Sequence, residues 1–275
     1  HLNPLIKTFQ LGLAYIAPVL KEKGHNIAFL SLTTLDKKAI EKQLKDHKNE
    51  IVLISVTTDA FELCKKVVEF IHKKSDIPIL LGGIHPTVCP EESIKLEGVL
   101  GICVGEGEHA VCELVDSIEH GRDYTNIENL WLKRNSVLYR NNLRPLIQDL
   151  DALPQPNYEI FKGHINFRIL PVIFSRGCPF NCTYCCIHTL QKLYGGKCKF
   201  LRYNSIDYRM NLITSLIKKF TEIHEIEFYD DTFTSSKNNV LKFSALIQEK
   251  NIDLSWTCLS RADYIDEELL RAMKT

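Results

Sequence analysis

The stretch Ser175-Arg-Gly-Cys-Pro-Phe-Asn-Cys-Thr-Tyr-Cys-Cys186 sets three cysteines in the spacing C-x3-C-x2-C. It follows an apolar run at residues 169–174, which predicts a strand, and its glycine and proline predict a sharp departure from that strand. Three thiolates on one short loop can hold three irons of a [4Fe–4S] cube. The stretch therefore predicts a strand that delivers a metal-binding loop, with Cys178, Cys182 and Cys185 as ligands.

A structural zinc site is the alternative for the same loop. Structural zinc usually closes all four positions, most often by pairing one C-x2-C with a second, distant pair. The sequence has no second such pair, but His188 is near enough to supply a fourth ligand. The residues alone leave both the cluster and the zinc site open.

The cysteine loop resembles the signature of the radical S-adenosylmethionine (SAM) enzymes. In that family the fourth iron of the cluster lacks a protein ligand and chelates the methionine end of SAM. Reductive cleavage of SAM then gives a 5′-deoxyadenosyl radical. The resemblance implies that Tyr184 lies beside the SAM adenine, that Asp230 and Asp231 meet its ammonium group, and that Arg261 pairs with its carboxylate.

Each of these implied contacts has a plainer alternative. Tyr184 can pack beneath the cluster, and one of the two aspartates can cap the turn that follows. Arg261 can form a salt bridge with Asp263 or Asp266. Two adjacent carboxylates repel each other unless a cation or hydrogen bonds compensate, which is why a bound ammonium suits that pair.

The second half of the chain repeats a strand-then-helix pattern, with strands expected at 169–174, 226–229 and 254–259. Such repeats favour a parallel barrel with its chemistry at the carboxyl ends of the strands. The cysteine loop, the aspartate pair and Arg261 all follow predicted strands. The family resemblance implies a partial (β/α)6 barrel over residues 166–275, truncated at about half because the final helical pattern lacks an end signal.

The first half also alternates apolar strands with helices, the strands being expected at 26–32, 51–56, 77–81 and 99–104. Continuous apolar strands between helices predict a parallel sheet covered on both faces. Ligands bind such sheets beyond the carboxyl ends of the strands, where two glycine-containing loops lie here. Neither loop matches a dinucleotide or phosphate-loop motif, so the glycines either admit a ligand or only turn the chain.

A second resemblance covers nearly the whole chain, in the right order, and it is to the cobalamin-dependent radical SAM enzymes. Four motifs carry it: Leu11-Gly-Leu-Ala-Tyr-Ile-Ala17, Gly82-Gly83-Ile-His85-Pro86-Thr87, Val104-Gly-Glu-Gly-Glu108 and Asp149-Leu-Asp-Ala-Leu-Pro154. It implies a flavodoxin-like, Rossmann-like cobalamin-binding domain over residues 1–125, with its first strand upstream of His1. The implied cobalamin contacts are Thr57, Thr58, Gly82, Gly83, His85, Gly105, Glu106 and Gly107.

The axial-ligand motif D-x-H-x-x-G is absent from the sequence. His85 lies in a glycine loop outside that context, so a role in shaping the loop or contacting the cobalamin tail is the alternative to touching cobalt. Between the two predicted domains, residues 126–165 are expected to form a connector with a small hairpin turning at Arg134-Asn135-Ser136 and a proline-rich linker.

Composition narrows the classes of function. Lys+Arg and Asp+Glu are both 34 in 275 residues, so no basic excess points to nucleic acid. No apolar run reaches the roughly 18 residues that predict a membrane span. Ten irregularly spaced cysteines, without an export signal, favour a reducing cytoplasm over a disulfide framework.

Together the two resemblances imply a radical SAM enzyme that uses a [4Fe–4S] cluster, SAM and cobalamin to methylate an unactivated carbon. Its expected partners are a small-molecule or biosynthetic-intermediate substrate and an electron donor such as flavodoxin or ferredoxin. Two alternatives stay open. One is a radical SAM oxidative cyclase or rearrangement enzyme on the same frame, and the other is a non-catalytic module that binds a corrinoid or a cluster.

Overall fold

The computed structural model describes residues 9–47, 50–196 and 198–274. The chain divides into two compact units, each discontinuous in sequence. The first comprises His1–Pro145 and Pro156–Ile165, and the second comprises Leu146–Gln155 and Asn166–Thr275. Residues 126–165, which were expected to form a connector, are therefore divided between the two units.

Five strands of the described chain form the sheet of the first unit, in the order β1-β2-β3-β4-β5. They are β1 (Val52–Ser55), β2 (Ile79–Gly82), β3 (Gly101–Cys103), β4 (Leu130–Arg134) and β5 (Val137–Arg140). The first three are parallel, with Leu53 beside Leu80 and Leu80 beside Gly101. Strand β2, the middle one of these three parallel strands, is apolar and buried on both faces, as a parallel sheet between helices requires.

The hairpin predicted at Arg134-Asn135-Ser136 is present, but it extends the first sheet and does not stand alone as a connector. Asn135 and Ser136 have φ of 51° and 63°, the left-handed pair typical of a two-residue hairpin turn. Strand β4 pairs antiparallel with β3 and places Leu130 and Leu132 in the core. Sequence patterning shows a hairpin but does not show which sheet edge it joins.

Six helices of the described chain surround this sheet. They are α1 (Leu11–Glu22), α2 (Lys37–His47), α3 (Phe61–His72), α4 (Ile84–Val88), α5 (Pro90–Ile94) and α6 (Glu108–Glu119). Helix α3 buries Phe61, Cys64, Val68 and Ile71 on one face, as their spacing predicts. At the start of α2, the Asp36 carboxylate accepts a hydrogen bond from the Ala39 amide at 2.9 Å.

The strand expected at residues 26–32 is the main difference from the predicted fold. The segment is assigned to no helix or strand, and its residues make no backbone–backbone hydrogen bond among those described. A cavity of about 330 Å³ lies between it and β1, lined by Leu30, Leu32, Leu53 and Ile54 among others. An apolar segment becomes a strand only when a neighbour pairs with it, and no described segment fills that gap.

The second unit is built on three parallel strands in the order β10-β9-β6, with a separate antiparallel pair, β7 and β8. The strands are β6 (Ile169–Val172), β7 (Ser175–Arg176), β8 (Arg202–Tyr203), β9 (Glu225–Phe228) and β10 (Ser255–Cys258). The helices are α7 (Ile187–Leu193), α8 (Ile206–Lys219), α9 (Lys237–Glu249) and α10 (Glu267–Met273). Aromatic rings fill the core, where the Phe228 ring lies 4.6 Å from Phe233 and 5.5 Å from Trp256.

These parallel sheets confirm the predicted α/β class for both units. None of the described helices combines the length and apolar character needed to cross a membrane.

Candidate functional site

The cysteine loop is held between β7 and β8. Ser175 pairs with Tyr203 and Arg176 with Arg202, so this short antiparallel pair closes the loop at its base. Gly177 starts the loop with φ of +89°, and a Cβ there would lie 2.5 Å from the Phe200 carbonyl oxygen. Only glycine fits that position, because both the backbone angle and the space exclude a side chain.

The three predicted cluster ligands differ in exposure. Cys178 is buried, with its Sγ 3.5 Å from the Thr232 hydroxyl, whereas Cys182 and Cys185 are half-buried. The Cys185 amide donates to the Cys182 carbonyl at 3.1 Å, which makes a tight turn between them. The three thiols therefore range from the interior, at Cys178, to the partly exposed surface, at Cys182 and Cys185.

The separation of these thiols is too wide for a single metal ion. Ligands of one zinc ion lie within about 4.6 Å of each other, since Zn–S bonds are about 2.3 Å. In the described chain, two groups of three metal-ligating side chains have all their ligand atoms within 4.8 Å, and neither includes a loop cysteine or His188. This spacing disfavours the zinc alternative and suits a larger, multinuclear group.

Asp230 lies at the carboxyl end of β9 with its carboxylate turned inward. It is 2% exposed and accepts hydrogen bonds from the Phe174 amide at 3.2 Å and from the Ser175 hydroxyl. Burial raises the pKa of Asp230 to about 6, against those hydrogen bonds and the nearby Arg209, which lower it. Asp230 thereby fixes the backbone that leads into the cysteine loop.

The neighbouring Asp231 points the other way and is exposed. Successive side chains at a strand end alternate in direction, so one carboxylate of the pair enters the core and the other faces solvent. Neither carboxylate caps the following turn, whose first residue, Thr232, makes no side-chain cap. Of the two, Asp231 is the one that an approaching ligand can reach.

Arg261 follows β10 and lies beside the cysteine loop. Its guanidinium donates to both carboxylate oxygens of Asp263, at 3.0 and 2.8 Å, and to the Cys182 sulfur at 3.6 Å. It also lies over the Phe180 ring, 4.2 Å from the ring centroid. The hydrogen bond to Asp263 is the main cause that raises the pKa of Arg261. Of the two partners considered from sequence, Asp263 is the one present.

Tyr184 is 90% exposed, so it does not pack beneath the cysteines. Its neighbour Cys186 is also exposed. The structure thus brings the three cysteines, Asp231 and Arg261 to the carboxyl ends of β6, β9 and β10, with Tyr184 at the rim.

The first unit gathers its three predicted loops at the carboxyl ends of β1, β2 and β3. The Val56 amide donates to the Gly82 carbonyl at 2.8 Å, and the His85 amide donates to the Val56 carbonyl at 3.0 Å. Gly83 has φ of +93°, and a Cβ there would lie 2.9 Å from backbone atoms of Val56. The glycine therefore permits a close approach of two loops, a role that the sequence left open.

Two residues outside the predicted set hold these loops together. The Thr87 hydroxyl donates to the Gly83 carbonyl at 2.8 Å and accepts from the Gly105 amide at 3.1 Å. The buried Asn129 side chain donates to the Glu106 carbonyl at 2.8 Å. Thr87 falls within one of the motifs quoted above, but the sequence gives no sign that its hydroxyl connects two loops. Asn129 carries no sequence signal at all.

His85 is placed differently from the other candidates in these loops. Its side chain is buried, with the ring stacked 3.9 Å from the Phe61 ring and Nδ1 3.4 Å from the Thr58 hydroxyl. Thr58 and Gly83 are exposed, while Thr57, Gly82 and residues 105–107 are half-buried. The loops thus offer backbone and small side chains to solvent, and the His85 ring supports them from below.

Comparison with known proteins bears on both units. Residues 6–115 match the family model described as the B12 binding domain. An uncharacterized methyltransferase of Pyrococcus horikoshii is 34% identical over 277 residues, covering 96% of this chain and 58% of that protein. The anaerobic magnesium-protoporphyrin IX monomethyl ester cyclase of Rubrivivax gelatinosus is 25% identical over 280 residues, covering 94% of this chain and 48% of the cyclase. The chain thus spans about half the length of these relatives.

The fold is also found in a solved structure. The radical SAM methyltransferase TsrM of Kitasatospora setae, with cobalamin and a [4Fe–4S] cluster bound, superposes with a TM-score of 0.77 and 17% identity. The match covers 99% of this chain and 55% of TsrM. At that identity the likeness concerns the fold.

Proposed function

We propose that this chain, which joins a B12 binding domain to the fold of the cobalamin-dependent radical SAM enzymes, binds cobalamin in its first unit and a [4Fe–4S] cluster with SAM in its second. The observation that carries the proposal is the set of three thiols on one loop, spaced too widely for a single metal ion. The B12 binding match over residues 6–115 supports the cobalamin part.

The donor set of the second unit fits an iron–sulfur cluster. Cys178, Cys182 and Cys185 would hold it as thiolates, and the partial exposure of the last two leaves room for a further ligand on the open side. When reduced, such a cluster would supply the electron for reductive cleavage of SAM. The zinc alternative is not proposed, because no described histidine or acid joins these thiols within zinc-binding distance.

The residues around this loop would bind and orient SAM. Asp231 is exposed and suits the ammonium group, whereas Asp230 would act by positioning the loop backbone, since its oxygens are already occupied. Arg261 would pair with the SAM carboxylate through the guanidinium edge that faces Cys182, while Asp263 holds the other edge. The exposed Tyr184 would lie against the adenine.

The loops of the first unit fit the tail of a cobalamin. Gly82, Gly83, Gly105 and Gly107 present backbone without side chains, and Thr57, Thr58 and Glu106 supply polar groups. Cobalamin would supply a methyl-carrying cobalt. We assign His85 a supporting role in this site, because its buried ring shapes the loop from below.

Methylation of an unactivated carbon is the activity that we propose for the whole protein, acting on a small-molecule or biosynthetic-intermediate substrate. The methyltransferase of Pyrococcus horikoshii and the TsrM fold both favour methyl transfer. An electron donor such as flavodoxin or ferredoxin, in the cytoplasm, would complete the system. The protein's own part is to bind, orient and shield the reacting groups.

An oxidative cyclase is the second candidate, and one observation favours it. The magnesium-protoporphyrin IX monomethyl ester cyclase matches over 94% of this chain. The two candidates differ in one requirement: a methyltransferase consumes a methyl group in each turnover, and a cyclase does not.

The test uses the full-length gene product, produced with cobalamin and reconstituted anaerobically with iron and sulfide. It is incubated with a reductant and SAM carrying a deuterated methyl group. We expect bound cobalamin, 5′-deoxyadenosine, and transfer of the labelled methyl group to a product in cell extract. Deoxyadenosine with an unlabelled product would favour the cyclase, and cobalamin with a cluster but no deoxyadenosine would favour a binding module.

A matched pair of variants ties that activity to the loop. Cys185→Ala should lose cluster and deoxyadenosine, whereas Cys186→Ala, which changes the exposed neighbour, should keep both. If the two variants behaved alike, the assignment of the ligands would be wrong.

A further inference from the structure

A second group of metal-ligating side chains lies in the first unit, on helices α4 and α5. His85, Cys89 and Glu92 are spaced i, i+4 and i+7. The Cys89 amide donates to the His85 carbonyl at 2.8 Å, and the Ser93 amide donates to the Cys89 carbonyl at 3.1 Å. Hydrogen bonds of the i to i+4 kind therefore flank the junction, but Cys89 itself has φ of −126° and ψ of 56° and interrupts the helix as the cap shared by α4 and α5. The convergence of the three side chains is shown by the distances between their ligand atoms and not by a helical repeat.

The ligand atoms of this group converge. His85 nitrogen, Cys89 sulfur and a Glu92 carboxylate oxygen all lie within 4.8 Å of one another. His85 Nε2 and the Glu92 oxygen are 3.8 Å apart. Ligands of one zinc ion, with bonds of about 2.0–2.3 Å, are separated by distances of this order.

The buried end of the group contains an unsatisfied nitrogen. The His85 side chain is 4% exposed, and its Nε2 has no hydrogen-bond partner among the described residues. Its other nitrogen, Nδ1, lies 3.4 Å from the Thr58 hydroxyl, and Phe61 covers one face of the ring. A buried ring nitrogen without a hydrogen-bond partner is unfavourable, and the Glu92 carboxylate oxygen lies 3.8 Å from this one.

We propose that His85, Cys89 and Glu92 bind a divalent transition-metal ion of the zinc type. One nitrogen, one sulfur and one oxygen ligand form the mixed set that such ions accept, and a water molecule can take a fourth position. A thiolate and a carboxylate together balance the double positive charge. With its proton on Nδ1, facing Thr58, the His85 ring offers the lone pair of Nε2 to the metal.

The other converging group in the described chain shows why the unsatisfied nitrogen matters. His25, Asp116 and Glu119 also lie close together, but His25 Nε2 is 2.9 Å from Asp116 and Nδ1 is 3.5 Å from Glu119. Both nitrogens of that ring already have acidic partners. His85 differs because its Nε2 has one acidic neighbour, Glu92 at 3.8 Å, and no hydrogen-bond partner among the described residues.

The proposed ion would tie the loop that follows β2 to helix α5. His85 belongs to that loop, and Glu92 is two residues from the end of α5. Binding would therefore stabilise the first unit by an amount that grows with the logarithm of the free metal concentration once this exceeds the dissociation constant. The inference does not require the function proposed above: His85 lies in a proposed cobalamin loop, but metal binding by His85, Cys89 and Glu92 needs neither cobalamin nor the cluster.

Cobalt(II) is the probe for this site, because a thiolate ligand gives it a charge-transfer band in the near ultraviolet. The experiment uses the full-length protein with Cys178, Cys182 and Cys185 changed to Ser, so that the loop thiols do not compete. We expect about one cobalt ion per chain, with a thiolate band that zinc displaces. Cys89→Ser should abolish the band, and Glu92→Gln should weaken binding at least about tenfold.

Two neighbouring changes serve as controls. Glu91→Gln alters the adjacent exposed acid of α5, and Cys112→Ala removes a buried thiol of α6. Both should leave the band and the affinity unchanged, and circular dichroism would establish that every variant folds. Absence of the band in folded protein, its persistence in Cys89→Ser, or equal losses in Glu91→Gln and Glu92→Gln would overturn the proposal.

A second readout needs no thiolate band. Zinc should raise the thermal unfolding temperature of the first unit in the parent protein and, at the same zinc concentration, raise that of Glu92→Gln by less. Because Glu92 is 60% exposed, its substitution should not by itself disturb folding. Equal zinc effects in the two proteins would contradict the assignment.

Discussion

The adjacent carboxylates Asp230 and Asp231 lie in different environments. Asp230 is sealed in the core and bonded to Phe174 and Ser175, while Asp231 faces solvent. The sequence predicted the carboxyl end of a strand for both, which is where they lie. The sequence did not show which of the two is buried, because the side chain that turns inward is set by the register of β9 against β6.

The buried carboxyl gives the second unit a defined pH dependence. Burial raises the Asp230 pKa in the folded state to about 6, above its ordinary value of 3.8. The carboxyl is protonated in both states below about pH 4, so its contribution to stability is complete there and is lost as pH rises through 6. Asp230→Asn keeps an oxygen acceptor and has no charge to bury.

We therefore expect cluster-free wild type to lose on the order of 3 kcal/mol relative to Asp230→Asn between pH 4 and pH 7. Denaturant unfolding of both proteins across that range measures the difference, and other titrating groups cancel in the comparison. Parallel stability curves for the two proteins would show that the Asp230 pKa is not raised.

Thr87 connects two loops of the first unit through one hydroxyl, so its removal leaves two backbone groups without that partner. Thr87→Val keeps the shape of the side chain, and we expect it to lower the free energy of unfolding of the first unit by about 1–3 kcal/mol. Cobalamin affinity should fall as well, since residues 83 and 105 lie in the proposed site. Thr87→Ser retains the hydroxyl and should keep most of the stability, as measured by denaturant unfolding; equal losses would point to packing instead.

The turn at the base of the cysteine loop is constrained both by its backbone conformation and by the space around it. Gly177 combines a positive φ with a close approach to Phe200, whereas Gly196 in the same loop has φ of +68° and open space around its Cα. The two glycines separate the effect of backbone conformation from the effect of crowding.

Gly177→Ala should break the pairing of β7 with β8 and lower the iron content after reconstitution. We expect it to destabilise the second unit by at least about 2 kcal/mol, through strain and the clash together. Gly196→Ala carries the conformational cost of about 1 kcal/mol without the clash and should still load iron. Iron analysis and thermal unfolding of both variants decide the matter, and similar iron losses would count against a special role for Gly177.

Helices and strands were predicted correctly where a local residue pattern determines them. The predictions failed where the structure depends on a second segment that pairs with the first. The helices α3 and α6 and the hairpin of β4 and β5 follow from spacing and turn residues. Residues 26–32 are apolar like a strand but are unpaired, and the hairpin joined a sheet edge that its own sequence does not specify. Pairing is a property of two segments, so one segment's pattern does not determine it.

The resemblance to cobalamin-dependent radical SAM enzymes was the most informative prediction at the scale of the whole molecule. It agrees with the B12 binding match over residues 6–115 and, at the level of the fold, with the likeness to TsrM. The four motifs, found in the expected order along the chain, supported this resemblance more strongly than the spacing of the cysteines alone. The hydrogen bonds made by Thr87 and Asn129 had no such signal, because they depend on which loops meet in space.

The two proposed cofactor sites lie in different units, and each unit contains one tryptophan. Trp131 is in β4 of the first unit and Trp256 is in β10 of the second. Removing the cluster with a chelator should lower the unfolding temperature reported by Trp256, and adding cobalamin should raise that reported by Trp131. Ligand at a hundred times its dissociation constant stabilises by about 2.7 kcal/mol.

Single-tryptophan proteins, Trp131→Phe and Trp256→Phe, separate the two signals in fluorescence-monitored thermal unfolding. If chelation shifted the Trp131 signal as much as the Trp256 signal, the cluster would not belong to the second unit alone.

The one-sided pairing of β1 has a consequence for isotope exchange. The amides of Val52 and Val56 donate to Pro78 and Gly82 of the neighbouring chain segment. Amides alternate in direction along a strand, so those of Leu53 and Ser55 face the 330 Å³ cavity instead. In hydrogen–deuterium exchange, the amides of Leu53 and Ser55 should therefore exchange faster than those of Val52 and Val56. Slow exchange at Leu53 and Ser55 would show that an extended segment pairs with β1 and fills the cavity.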